Sequence, residues 1–366
     1  MKKVEEYFVP WVKGIPMYVS GHIELAWRKP ELHRMMSNEN PNPPSQKVLD
    51  AIIKYGKMAN RYPDQGLVVR SKIAEINKLG GPENVMIGNG SSEVYDNIFR
   101  CFLTTGEEVI QQTPCFGIYK LRGTILGGKM VSVPMIYKDK YLYYDVPGIL
   151  KAITDKTKII VVANPNNPTG NFLGAKDFVR IAETGIPFIV DEAYVEYAGL
   201  KLSQVELTKK YKNVIVTRTL SKAYGLAGLR FGYAIGDKDV IGQISAALLP
   251  WNVGTIPMWT ALAAFEDTEA LEYRVKYNNS EVDYITETLS EVPNLVVFPS
   301  KANYILFDCG ATGKKGKDVV AYAEQKGLIF RPETEKYGSD GWFRITIGTQ
   351  EENRMAVNVV REFLTS

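Results

Sequence analysis

The stretch Lys158-Ile-Ile-Val-Val-Ala-Asn-Pro-Asn-Asn-Pro-Thr-Gly170 runs four branched apolar residues straight into a cluster of Asn, Pro and Gly. A strand wetted on one face alternates apolar and polar side chains. Residues 159–162 do not alternate, so both faces are expected to be buried, as in a parallel sheet covered on each side by helices. Outward from it, similar short runs recur at 84–87, 108–112, 129–133, 187–190, 214–217 and 231–235. Helical patterns lie between most of them, for example at 92–103, 116–126 and 175–183. This alternation predicts an α/β fold, a mainly parallel seven-stranded sheet sandwiched by helices. Beyond it, 257–291 reads as one long helical stretch. Short strands at 295–298, 304–307 and 342–347 and helices at 316–326 and 351–364 follow, which predicts a smaller α+β domain hinged on that helix. The first forty residues, rich in Pro and aromatics, read as an arm. The expected organisation is a large α/β domain over 45–270, and a small α+β domain of 271–366 joined by the arm 1–44.

Composition excludes several functions. The 366 residues carry 44 basic and 41 acidic side chains, a net charge of +3, with no block of like charge. Lys314, Lys315 and Lys317 sit in a Gly-rich turn, so no nucleic-acid partner is expected. No apolar run approaches a membrane span and no secretory leader is visible, so a cytoplasmic protein is expected. Cys101, Cys115 and Cys309 are too scattered for a disulfide framework or a zinc site. His22 and His33 are the only histidines, both near the N-terminus, so neither a His-relayed nucleophile nor a metal centre is expected. Lysine becomes the leading candidate base.

In open α/β sheets, functional groups gather at the carboxyl ends of strands. Four segments place polar residues there. Asn164–Gly170 follows the strand quoted above. Asp191 ends an apolar run, with Tyr194 three positions on. Gly88-Asn-Gly-Ser-Ser-Glu93 turns from strand into helix and offers free N–H groups to an anion. In Thr217-Arg-Thr-Leu-Ser-Lys-Ala-Tyr-Gly-Leu-Ala-Gly-Leu-Arg-Phe-Gly232, Lys222 follows a serine and Arg230 lies eight positions beyond it. A lysine that binds a carbonyl cofactor covalently needs hydroxyls, a fixed cation for an anionic tail and pliant backbone nearby. Gly123-Thr-Ile-Leu-Gly-Gly-Lys129 has the spacing of a P-loop, but it continues with Met130 and runs from helix into strand, the wrong order for one.

The ordered set Asn-Pro-Thr-Gly, Asp-x-x-Tyr, Ser-Lys and a later Arg resembles the fold-type-I, pyridoxal-phosphate-dependent aminotransferases. Ser37-Asn-Glu-Asn-Pro41, Arg61-Tyr-Pro-Asp64 and Phe343-Arg-Ile-Thr-Ile-Gly-Thr349 are similar to the histidinol-phosphate aminotransferase branch, and the likeness runs from about residue 37 to the end. It implies pyridoxal 5′-phosphate as cofactor, held by Lys222 as an internal aldimine. Asp191 would pair with the pyridine nitrogen, Tyr194 and Asn167 with the phenolic oxygen, and Phe116 would stack on the ring. Ser91, Ser92, Thr219, Ser221 and Arg230 would hold the phosphate, with Tyr62 reaching in from the second subunit of a homodimer. Arg344 would clamp the substrate carboxylate and Arg331 the substrate phosphate. The resemblance further implies ping-pong transfer from an amino acid or amino-phosphate donor to a 2-oxo acid such as 2-oxoglutarate, within histidine biosynthesis.

Three departures bear on substrate. Trp11 stands where the branch has a tyrosine near the substrate phosphate, Ser92 replaces an acidic residue, and residues 18–34 differ from the usual arm. Trp11, Tyr18 and Trp27 are therefore also candidates to line an apolar pocket for an aromatic amino acid. A decarboxylase of the same fold, like the threonine-phosphate decarboxylases, shares nearly every cofactor residue and stays open, as does a non-catalytic cofactor-binding regulator.

Overall fold

Alternate residues of the strand Thr157–Ala163 enter two different cores, and the sheet is built around that division. Ile160 and Val162 join Ile110, Val190 and Val216 on one face, under Val69, Phe178 and Met258. Those three side chains come from the helices Leu67–Ile76, Ala175–Ala182 and Thr255–Phe265. Ile159 and Val161 join Val109, Ile189 and Ile215 on the other, under Ile98, Tyr119 and Ile241. Their helices are Ser91–Phe102, Ile118–Ile125 and Lys238–Ser245. Side chains of period two thus feed both faces, as the absence of alternation in the sequence demands.

The computed structural model describes residues 3–13, 15, 21–333 and 339–366. The seven strands lie in the spatial order Val85–Gly88, Gly232–Ile235, Val214–Thr219, Phe188–Asp191, Thr157–Ala163, Glu108–Thr113 and Lys129–Pro134. Gly232–Ile235 is antiparallel to both of its neighbours, and the remaining pairs are parallel. This reversal sets Gly88, Gly232 and Thr219 side by side, with Asp191 and Ala163 beyond them on the same edge. Every polar segment singled out from the sequence leaves the sheet at that edge.

A second, wholly antiparallel sheet runs Val296–Val297, Tyr304–Asp308, Trp342–Thr346, Arg331–Pro332. Ile305, Phe307, Phe343 and Ile345 bury one face of it against the helices Thr268–Ser290, Gly316–Gln325 and Gln350–Thr365. His33–Arg34 pairs in parallel with Leu328–Ile329, and Met35 N–H then donates to Ile329 O at 3.0 Å. This anchor delivers residues 36–41 to the space between the two sheets.

The expected single helix over 257–291 is two helices, Thr255–Phe265 and Thr268–Ser290. Asp267 leaves the helical region between them (φ −101°, ψ 65°), and its carboxylate faces Lys47 at 3.6 Å. A short carboxylate is at home before the first turn of a helix, and here it also meets a lysine from another helix. Among the described residues, no helix is long and apolar enough to cross a membrane.

Candidate active site

A cavity of about 620 Å³ opens between the carboxyl edge of the large sheet and the antiparallel sheet. Its far end is an anion cradle. The helix Ser91–Phe102 begins after Gly90 (φ 75°) with no side-chain cap, so its N-terminus meets the cavity beside Ser91 and Ser92. Such a terminus favours negative charge. Thr219 donates to Ser221 Oγ at 2.9 Å, and both line the same end. Arg230 adopts a left-handed backbone (φ 54°), with Nη1 donating to Ala227 O at 3.0 Å. A Cβ on Gly90 would collide with that guanidinium, and one on Gly232 would meet the backbone of Gly90 and Ser91. Glycine is needed at both positions for cation and helix to come this close.

Asp191 lies deep in the cavity, 4% exposed. Burial raises its pKa, opposed by hydroxyl donation from Tyr119 and Tyr95 and by the Ala193 N–H, which donates to Oδ1 at 2.9 Å. Tyr95 in turn shares a hydrogen bond with Thr217 Oγ1 at 2.9 Å. Phe116 borders the cavity with its ring edge-on to Tyr119, centroids 5.8 Å apart.

Lys222 stands between cradle and carboxylate. Its Nζ donates to Ser37 O at 3.2 Å and lies 5.7 Å from the centre of the Tyr194 ring. Burial first, then the Arg344 and Arg230 charges, push its pKa down to about 8, against the pull of Glu39 and Asp191. The neutral amine, the form that attacks a carbonyl or takes a proton, is therefore populated near neutral pH. The Tyr194 hydroxyl accepts from Asn38 Nδ2 at 2.9 Å and from Asn167 Nδ2 at 3.4 Å, and burial lifts its pKa to about 12.

The near end carries two arginines. Arg344 is 6% exposed; its Nη1 donates to Asn167 Oδ1, its Nη2 to Met36 O at 3.0 Å, and its guanidinium stacks over Tyr304 at 5.1 Å. Its Nε is buried with no partner among the described residues, a vacant donor. Arg331 stands directly opposite on the adjacent strand.

Twelve of the fourteen side chains expected at the site thus converge on this cavity. Two do not. Trp11 donates Nε1 to Ile125 O at 3.1 Å and packs near Gly127, so the indole is spent on the helix Ile118–Ile125. Trp27 is exposed under the Arg34 guanidinium, 4.6 Å from its ring. Neither lines the cavity, which corrects the expectation of an apolar aromatic pocket; Tyr18 lies outside the described residues. Tyr62 is 77% exposed and stacks on Trp251 at 4.2 Å, away from this cavity. Sequence reasoning assigned no role to Tyr119, Tyr95, Glu39 or Glu333. Tyr119 did carry a signal, since it sits three residues after Phe116 at a helix start.

The model of the family described as aminotransferase class I and II matches residues 31–360. A histidinol-phosphate aminotransferase of Idiomarina loihiensis is 35% identical, covering 96% of each chain. One from Akkermansia muciniphila is 34% identical, covering 93% of this chain and 92% of that protein. The fold is also that of the Sinorhizobium meliloti histidinol-phosphate aminotransferase solved with pyridoxal-5′-phosphate, with a TM-score of 0.89 at 24% identity and 98% coverage of each chain. The chain therefore belongs to the class I and II aminotransferases, enzymes whose cofactor is pyridoxal 5′-phosphate.

Proposed function

We propose that this aminotransferase takes its amino group from histidinol phosphate and passes it to 2-oxoglutarate in ping-pong order. The observation that carries this reading is the pair Arg331 and Arg344, opposed on neighbouring strands at the cavity's near end. Two guanidiniums suit an anion with several oxygens, and the curated relatives quoted above bear that donor's name.

The cavity fits the cofactor at both ends. Ser91, Ser92, Thr219, Ser221 and Arg230 would hold its phosphate, and Asp191 its protonated ring nitrogen. Tyr194 and Asn167 would bond its phenolic oxygen, with Phe116 against a ring face. When bound, pyridoxal phosphate draws the electrons of the donor's Cα–H bond into its ring. Lys222 Nζ would bind the carbonyl carbon in the resting enzyme, then, once released, take the Cα proton and return it one position along. Its depressed pKa serves that exchange. Arg344, aligned by Asn167 and Met36 O, would fix the donor's anion so that the Cα–H bond meets the lysine.

The same reading places the protein in the cytoplasm as a homodimer, with exposed Tyr62 reaching the partner's cofactor phosphate. It also divides the chain into a unit over 45–270 and a second of 271–366 joined by 1–44. The test is a half-reaction screen. Cofactor-loaded protein is mixed singly with histidinol phosphate, phenylalanine and tyrosine, and the cofactor absorbance is followed. Conversion by histidinol phosphate is expected; conversion by phenylalanine alone would reassign the donor, and release of carbon dioxide would reassign the reaction. Lys222→Ala is expected to abolish conversion.

A further inference from the structure

The Tyr194 hydroxyl receives two N–H groups, from Asn38 Nδ2 at 2.9 Å and from Asn167 Nδ2 at 3.4 Å. A phenolic oxygen has one proton to give and two lone pairs with which to accept. Both lone pairs are taken, and no acceptor for the proton lies among the described residues. It is left for the cavity, which Tyr194 lines. Burial lifts the Tyr194 pKa to about 12, so the proton is present near neutral pH.

Both amides are aimed by one strand. In Trp342–Thr346, Arg344 and Thr346 are two positions apart and share a face. Arg344 has only donors, so the Asn167 oxygen must face it, and Nδ2 is turned to Tyr194. Thr346 Oγ1 accepts the Asn38 N–H at 3.0 Å and donates to Asn38 Oδ1 at 3.1 Å, which turns that Nδ2 to Tyr194 as well. The opposite amide orientation would strand the buried Thr346 proton without an acceptor among the described residues, which is unfavourable. Asn303 Nδ2 donates to the Asn38 carbonyl at 3.0 Å, so every polar atom of Asn38 has a partner. The residue is 1% exposed and its backbone is left-handed (φ 54°), a region that Asn and Asp enter more readily than most.

We propose that Asn38 is a positioning residue, which commits the Tyr194 hydroxyl to donate into the cavity and so requires an acceptor oxygen on the ligand it meets. The proposal rests on the reading that Tyr194 bonds the phenolic oxygen of the cofactor, and deepens it. A deprotonated phenolic oxygen satisfies the requirement, and a fixed donor favours that form. Asn38→Asp keeps the size and suits the same backbone, but it offers the hydroxyl an acceptor where a donor stood. The Tyr194 proton would then turn away from the cavity.

The test titrates cofactor-free protein, by fluorescence, with pyridoxal phosphate and with 3-deoxypyridoxal phosphate, which lacks the phenolic oxygen. In Asn38→Asp the preference for pyridoxal phosphate over the analogue is expected to fall about tenfold. In Tyr194→Phe no hydroxyl remains to turn, and adding Asn38→Asp should change the preference less than twofold. Thr346→Val should lower it about threefold, and Thr346→Ser, which keeps the hydroxyl, should restore it; this pair carries the test if Asn38→Asp does not fold. Equal losses for both ligands, the mark of a merely structural role, overturn the proposal. So does a tenfold fall that persists in Tyr194→Phe, because the new charge then acts directly. If Tyr194→Phe itself leaves the preference unchanged, the assignment of Tyr194 to the phenolic oxygen fails and the proposal with it. If Tyr194→Phe lowers the preference and neither Asn38→Asp nor Thr346→Val does, that assignment stands and Asn38 has no such role.

Discussion

Tyr119 donates its hydroxyl to Asp191, and both side chains are buried beneath the cavity. Burial favours the neutral acid at Asp191, and donation by Tyr119 and Tyr95 opposes it. On the proposed reading Asp191 keeps a ring nitrogen protonated and must stay ionised, so these donors would act on the cofactor through it. Tyr119→Phe is expected to lower kcat/KM about thirtyfold, about 2 kcal/mol, within the roughly 1.5–3 kcal/mol of a hydrogen bond to a charged group. Cofactor affinity, measured by fluorescence titration of the cofactor-free protein, should weaken alongside. Unchanged affinity and rate would remove Tyr119 from this role.

Lys222 links folding to pH in the cofactor-free protein. Its folded pKa is about 8, against an ordinary 10.5. Between these values the unfolded chain binds more protons, so this residue makes stability rise with pH; below about 8 its penalty is constant. Lys222→Met should therefore be more stable than wild type at pH 7, on the order of 2 kcal/mol. The difference should shrink towards pH 10.5 in denaturant titrations. A gap that does not narrow would contradict the assignment.

Glu196 behaves in the opposite sense. Its Oε2 is buried without a partner among the described residues, and burial lifts its pKa to about 7 from an ordinary 4.5. Its contribution is fully favourable below pH 4.5 and is lost as pH rises through 7. Glu196→Gln should match wild type near pH 4.5 and exceed it at pH 8 by roughly 2 kcal/mol, read as midpoint shifts in urea.

Gly232→Ala tests the anion cradle. The added methyl would press on the backbone of Gly90 and Ser91, which cannot yield without moving the start of the helix Ser91–Phe102. A loss of roughly 1–3 kcal/mol in stability is expected from such overpacking. Pyridoxal phosphate should bind more than tenfold more weakly, and pyridoxal, which lacks the phosphate, should lose less. Equal losses for both ligands would place the damage elsewhere.

Tyr62→Ala and Lys222→Ala should each be inactive alone if Tyr62 completes the partner's site. Unfolded together and refolded as a mixture, they should regain activity that neither has, because mixed dimers carry one intact site. No recovery would argue that Tyr62 serves its own subunit or none.

The large sheet was legible because each strand is a short apolar run bounded by breakers. All seven expected strands lie within a residue or two of those observed, and the antiparallel Gly232–Ile235 was expected as a strand without its direction. The helix break at Asp267 was hidden, since no proline or glycine marks it and its partner Lys47 lies far away in sequence. Trp11 was misplaced for a related reason: its fate depends on which carbonyl its N–H meets, here that of Ile125. The expected site residues that meet at the cavity include Asp191 and Thr219, which end their strands, where chain geometry dictates position. Tyr95 and Glu333 were missed because only tertiary packing brings them to Asp191 and Arg344.

Arg344 reaches Asn167, Asn167 reaches Tyr194, and Arg344 also depresses the basicity of Lys222. A negative group arriving on that guanidinium cancels part of the field felt at the amine. The lysine would then hold its proton more firmly when the near end is filled than when it is empty. Occupancy at one end of the cavity is thereby reported at the other as a change in proton affinity, with no part of the backbone obliged to move.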